Sequence, residues 1–428
     1  RGLGDVYKRQ MLLGAATLAL GSCCTSRVSN DIKKDTAIHG VEADMDAAYL
    51  TLSDAQRDIV TRNNDFGLRL FKNVSGMDSR VVSPLSVTYL MGMLANGADG
   101  QTRQEILTTL GWDKGAEGQN ALEEANELAC MMLQSLSRQD KAITVDVANF
   151  VAVNNQVKLK EGFQRTVTDY YKAGVEALDF ASPKALKRIN GWCSDRTHGM
   201  IPSIIDRTNP QDVSYLMNAI YFNGSWTDKF DKRETKIEPF RGYTRDIKRV
   251  NMMHRNDKYF FANSQDFDAV QIPYGDRSFQ MMVLLPHEGK SIDDMMSTLT
   301  SAKLDQVRQS MDECLVDLKL PRFTTEVEQP LNEVISTLGA PSIFTARANF
   351  SHLANGNFFV SKMLQKAKIE VSEEGTKAAA VTAAIMTMSA LAPDEPRRVD
   401  FHADHPFVYV ISEAQTGAIL FVGQYTGE

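Results

Sequence analysis

The sequence is poor in cysteine. Its 428 residues contain five, at positions 23, 24, 130, 193 and 314. The last three stand alone and no CxxC spacing occurs. That excludes a zinc ribbon and a disulfide framework, and leaves Cys130, Cys193 and Cys314 as expected buried thiols. Neither sign of charge is in excess. Against 54 Asp and Glu stand 47 Lys and Arg, a net charge of −7. With no basic block anywhere, nucleic acid is not an expected partner. Catalytic signatures are missing too: there is no GxGxxG, P-loop, HExxH or GxSxG. The nearest hint is "ADHPF", where Asp404 adjoins His405. Neighbours along a strand point to opposite faces, so neither is expected to orient the other, and no nucleophile completes a triad. The expectation is a protein that is not an enzyme and uses no cofactor and no metal.

What is present begins with a segmented N-terminus. Residues 1–10, "RGLGDVYKRQ", have no structural logic and read as translated sequencing adaptor. Residues 11–23 carry the apolar run "MLLGAATLALGSC", too short to span a bilayer and suited to the h-region of a signal peptide. Its end, Leu20-Gly21-Ser22-Cys23, resembles a bacterial lipobox, in which Cys23 is lipidated after cleavage. Residues 24–46 are poor in apolar side chains and read as a polar tether. The expected location is extracytoplasmic: anchored by lipid in a bacterial membrane on its periplasmic or cell-surface side, or secreted.

From residue 47 to 428 the text runs without a dividing linker. "DAQRDIVTRNNDFGLRLFKNV" carries apolar residues at helical spacing. "VVSPLSVTYLMGMLANG" starts as a short strand and turns helical at Pro84, a residue suited to a first turn. "QTRQEILTTLG" is a further helix closed by Gly111, and "NALEEANELACMMLQSL" is another. Strand patterns follow: "ITVDVANFVAVNN", "VSYLMNAIYFNGSW", "YFFANSQDFDAVQIPY", "FQMMVLLP" and "ECLVDLKLPRF". The C-terminal "HPFVYVISEAQTGAILFVGQY" is a hairpin around Gln-Thr-Gly. Helices first and strands later, with mixing between, give an α+β class.

One segment, "EEGTKAAAVTAAIMTMSALAPDEPRR" (Glu373 to Arg398), supports two readings. Its alanines favour helix. Counted in twos, Thr376, Ala378, Ala380, Thr382, Ala384, Met386 and Met388 form one uncharged strand face, with Lys377, Ala379, Val381, Ala383, Ile385, Thr387 and Ser389 opposite. Together with "VVSPLSVTYLMGMLANGADGQTRQEI", "LMNAIYFNGSWTDKF", "LKLPRFTTE", "KAKIEVSEEGTKAAA" and "FHADHPFVYVI", this text resembles the serpins from about residue 50 to 428.

The resemblance implies one domain of three β-sheets and about nine helices with an exposed reactive loop. It implies a suicide-substrate inhibitor of serine proteases, with cysteine proteases as a further candidate target class, monomeric, whose partner is the target protease held as a covalent acyl complex. A protease cuts the loop, and the cut loop enters the central sheet as a new strand. The reactive bond is expected at Ser389–Ala390, with Met388–Ser389 as the alternative, so elastase-, subtilisin- or chymotrypsin-like enzymes are the expected targets. The hinge is Glu373, Glu374, Gly375, Thr376, Lys377, Ala378, Ala379 and Ala380. Ser83, Pro84, Ser86 and Asn218 match the shutter beneath the sheet, where Gln365 replaces the family's histidine. Trp226, Arg322 and Glu373 match the upper opening, with Arg322 and Glu373 expected to pair. The competing function is a non-inhibitory serpin that acts as a carrier or surface binding protein.

Overall fold

The computed structural model describes residues 50–114, 120–136, 142–376 and 396–427. One compact unit spans Leu52–Glu428. The suspected adaptor, the signal segment with Cys23 and the tether lie outside the described residues. So do Lys377, Ala378, Ala379, Ala380, Met388, Ser389 and Ala390.

Nine α-helices occur among the described residues: α1 (Asp54–Val74), α2 (Pro84–Gly97), α3 (Gly100–Leu110), α4 (Ala121–Leu136), α5 (Glu161–Tyr171), α6 (Pro183–Arg196), α7 (Ile292–Thr298), α8 (Ser301–Gln309) and α9 (Asn332–Leu338). Local chemistry sets the ends of those expected from sequence. Ser53 and Gln56 form a reciprocal capping box at the start of α1, satisfying two otherwise orphaned N–H groups. Ser83 caps α2 ahead of Pro84. Gly111 ends α3 at φ 76°, a left-handed conformation that favours glycine. Nearly every residue of α2 is buried, which fits its apolar composition on all sides.

The smaller, central sheet has the order β10 (Phe323–Pro330), β11 (Lys362–Ser372), β12 (Gly375–Thr376), β4 (Ser214–Ser225), β2 (Ile143–Asn154), β3 (Gly174–Leu178). Strands β11 and β4 also pair directly and in parallel, from Lys362↔Tyr215 to Ala367↔Ile220. There the direct ladder stops. Beyond it, β12 sits antiparallel to both neighbours, with Thr376 opposite Val371 on one side and Gly224 on the other.

The larger sheet runs β1 (Arg80–Val82), β15 (Ile419–Tyr425), β14 (Phe407–Glu413), β8 (Phe279–Pro286), β7 (Phe267–Tyr274), β6 (Ile247–Asn263), β9 (Asp312–Pro321), β13 (Arg398–His402), with β5 (Lys236–Arg241) also on β6. The three expected sheets are present as three blocks, two of them joined in one ladder because β6 belongs to both. Its end, Phe260–Asn263, pairs with β7, its first residues pair with β5, and Met252 to Phe261 pair with β9. Cys130, Cys193 and Cys314 are buried and form no disulfide.

Packing places the central sheet between two layers. On one face α6 lays Ala185, Ile189, Trp192 and Cys193 against Ala148, Phe150, Tyr215 and Met217. Trp192 stacks on Phe150 with ring centroids 4.8 Å apart. On the other face Phe222 meets Tyr274, Phe279 and Phe421 of the larger sheet edge-on. Trp192→Ala should remove about 3–5 kcal/mol and lower the urea midpoint for loss of the native state. An unchanged midpoint would mean that α6 is not anchored by this contact.

Candidate functional site at the opening of the central sheet

Two groups of residues flank the seam between β11 and β4, one at the lower ladder and one at the upper end. At the lower ladder Gln365 and Asn218 are register partners, both fully buried. The Gln365 side-chain amide reads the backbone of Ser83 from both sides. The Ser83 N–H donates to Oε1 (2.8 Å), and Nε2 donates to the Ser83 carbonyl (2.9 Å). A peptide-like amide can satisfy a backbone donor and acceptor at once. Ser83 Oγ donates to Ser86 Oγ (3.0 Å). Asn218 Nδ2 donates to Asn149 Oδ1 (2.9 Å), and Asn149 donates to the carbonyl of Tyr171 (2.9 Å). Asn218 Oδ1 is buried without a partner, a costly state for an acceptor. Pro84 sits at the first position of α2, where its missing N–H has no penalty.

At the upper end the chain turns back after Ser372. Gly375 adopts φ 138°, and a Cβ there would lie 2.2 Å from the Gly224 carbonyl oxygen, so only glycine fits. Thr376 is buried, its hydroxyl 2.8 Å from the Tyr274 hydroxyl. Burial pushes the Tyr274 hydroxyl pKa up, so it keeps its proton. Trp226 stacks on Tyr274 at 4.4 Å. Its indole N–H donates to the Ser372 carbonyl (2.8 Å) and its backbone N–H to the Glu374 carbonyl (3.0 Å).

The expected Arg322–Glu373 pair forms at 3.6 Å, between a half-exposed guanidinium and a buried carboxylate. It is not the shortest contact of Glu373, whose Oε1 accepts from the Thr235 hydroxyl at 2.8 Å. The stronger ion pairing belongs to Glu374, which sits between Lys229 Nζ (2.9 Å) and Lys232 Nζ (3.0 Å). Hydrogen bonds from the two lysines hold its carboxyl below the usual glutamate range. Lys229, Lys232, Thr235 and Tyr274 are the contributors that sequence reasoning did not single out. The run "TDKFDKRET" right after Trp226 carries the signal for the first three, a cation-rich turn beside an acidic hinge.

Asp404 and His405 correct an expectation. They lie in the turn between β13 and β14 rather than on a strand, so alternation does not apply. His405 Nδ1 is 2.8 Å from Asp404 Oδ1 and Nε2 is 2.9 Å from the Pro286 carbonyl. With both ring nitrogens engaged, His405 acts as a strut and not as a base. Its hydrogen bond also lowers the Asp404 carboxyl pKa.

Comparison with known proteins fits this geometry. Residues 61–427 match the family model "Serpin (serine protease inhibitor)". The chain is 32% identical over 370 residues to Iripin-1 of Ixodes ricinus, covering 85% of this chain and 93% of that protein. It is 30% identical over 381 residues to the leukocyte elastase inhibitor of Homo sapiens, covering 85% of this chain and 98% of that protein. The native crystal structure of the thermophilic serpin tengpin superposes with a TM-score of 0.79 at 26% identity, covering 89% of this chain and 96% of that one. The chain belongs to the serpin family.

Proposed function

We propose that this serpin is a suicide-substrate inhibitor of elastase-, subtilisin- or chymotrypsin-like proteases, and that β12 is the first rung of the strand its cut loop adds. The observation that carries this reading is the seating of Gly375 and Thr376 between β11 and β4, just above the point where the direct ladder ends. Extending both registers places residue 382 between Gln365 and Asn218. The entering strand must therefore part the lower ladder pair by pair. In the inserted state Thr382 would share the face of Thr376, and its hydroxyl would offer a donor to Asn218 Oδ1, which is buried without a partner.

Ordering each inserted residue costs roughly 1–2 kcal/mol, against about 0.5–1.5 kcal/mol net per ladder hydrogen bond. The ladder alone does not drive insertion. Strain in the uncut body supplies the rest, and the native state persists behind a barrier. Gln365, Ser83, Ser86 and Asn218 form that barrier below; Trp226, Glu373, Glu374 and Tyr274 form it above. Lipidation at Cys23 would display the inhibitor outside the cytoplasm on a polar tether.

Incubation with leukocyte elastase or subtilisin should give a covalent complex that survives SDS. Thr376→Arg puts a charge into the buried slot beside Tyr274 and should turn the inhibitor into a cleaved substrate. A cut loop without complex in the wild type would contradict the reading, as would undiminished inhibition by the variant. Gln365→Ala leaves the buried N–H and carbonyl of Ser83 unpaired, a loss of about 1–3 kcal/mol. It should hasten loss of activity and formation of oligomers on warming, read by size-exclusion chromatography. An unchanged rate would remove Gln365 from the barrier.

Glu374 has a depressed pKa in the folded state. Its contribution to stability is therefore complete above the ordinary glutamate range, about pH 4.3, and is lost as pH falls through the lower folded value. The upper opening should loosen on acidification across that window, read as protease sensitivity at the hinge, and Glu374→Gln should flatten this dependence. A variant with the wild-type profile would assign the acid response to other groups.

A further inference from the structure

One cluster of ligating side chains lies apart from the hinge and the shutter. Strand β13 runs parallel to β9 with Asp400 opposite Asp317 and His402 opposite Lys319. Residues at i and i+2 share a face, so Asp317, Asp400 and His402 stand together. One ligand atom from each lies within 4.8 Å of the others. Two carboxylates directly opposite one another destabilise a sheet, and the ordinary remedy is engaged elsewhere. Lys319 is taken by Glu238 at 2.8 and 3.1 Å. Asp317 is bonded instead to two imidazoles, through Oδ2 to His402 Nε2 (3.2 Å) and through Oδ1 to His254 Nε2 (2.5 Å).

We propose that Asp317 Oδ2, the Asp400 carboxylate and His402 Nε2 bind one divalent transition-metal ion of the zinc class, while His254 orients the other oxygen of Asp317. The 3.2 Å between Asp317 Oδ2 and His402 Nε2 already suits two ligands on one ion with bonds of about 2.0–2.2 Å. Asp400 is exposed, and a carboxylate oxygen of it already lies within 4.8 Å of the other two ligand atoms, so it would serve as the third, with water as the fourth. An imidazole in the set selects zinc-class ions over calcium and magnesium. His254 fills the place of the hydrogen-bonding neighbour that a ligating carboxylate normally has. For the ion to bind, His402 carries its proton on Nδ1 and gives Nε2 to the metal.

The ion would rivet β13, the first strand after residues 377–395, to β9. That consequence for the loop rests on the inhibitor reading, whereas the site itself does not. The test is titration of the full chain with Zn2+ by calorimetry and with Co2+ by visible absorption, on the wild type, Asp400→Asn, His402→Gln and His254→Gln. One equivalent should bind, both ligand variants should lose it, and His254→Gln should weaken it by about 10–100-fold. With Zn2+ at about a hundred times Kd, the amides of β13 should exchange about 100-fold more slowly.

No saturable uptake up to millimolar Zn2+, or uptake unchanged in a double Asp400→Asn/His402→Gln variant, overturns the site. Elastase complex formation is scored separately on the same preparations. Zinc bound without a complex sinks the inhibitor reading alone, and a complex without zinc sinks the site alone.

Discussion

The structure depends on a ladder that is left unfinished. Strands β11 and β4 are hydrogen-bonded directly only from Lys362↔Tyr215 to Ala367↔Ile220. A sheet interior normally pairs along its full length because an unpaired buried N–H or carbonyl is costly. Here the upper part of the seam is occupied instead by two residues of a third segment, Gly375 and Thr376. The residues of the candidate site lie at the two ends of that seam, Gln365 and Asn218 on the direct ladder and Trp226, Glu373 and Glu374 beside the third segment.

The two closures work by different physics. Below, the closure is neutral and dry: the Gln365 amide engages the backbone of Ser83, which caps α2, the Ser83 hydroxyl donates to that of Ser86, and Asn218 donates to Asn149. With a glutamine at position 365, this lock has no titrating group of its own. Above, the closure is charged and partly wet. Glu374 bridges two lysines, while Glu373 is buried against Thr235 with Arg322 at longer range. Exposed ion pairs are weak, so the upper closure is the easier one to undo. Under the proposed insertion, a strand entering from the top would meet the weaker closure first and the buried one only on reaching Gln365 and Asn218.

Much of this was legible in the sequence because the signals are local. Ser83 before Pro84 announces a capped helix, Gly111 announces its neighbour's end, and Gly375 announces the sharp turn that brings Thr376 back beside β11. What stayed hidden depends on long-range pairing. That β6 serves two blocks of strands follows from where β7 and β9 lie, not from its own residues. The partnership of Glu374 with Lys229 and Lys232 joins segments about 145 residues apart in the chain, and each alone is an ordinary surface charge. Asp404 and His405 misled because a strand rule was applied to a turn. The facing of Asp317 and Asp400 likewise appears only once β13 is laid beside β9.

The central claim is that the intact molecule is held short of its lowest free energy by the barrier across β11 and β4. Calorimetric melting of the intact protein and of the protein nicked within residues 385–395 tests it most directly. The account predicts a large rise in Tm once the chain is cut, with the fragment retained in the fold. Identical melting of the two forms would contradict it.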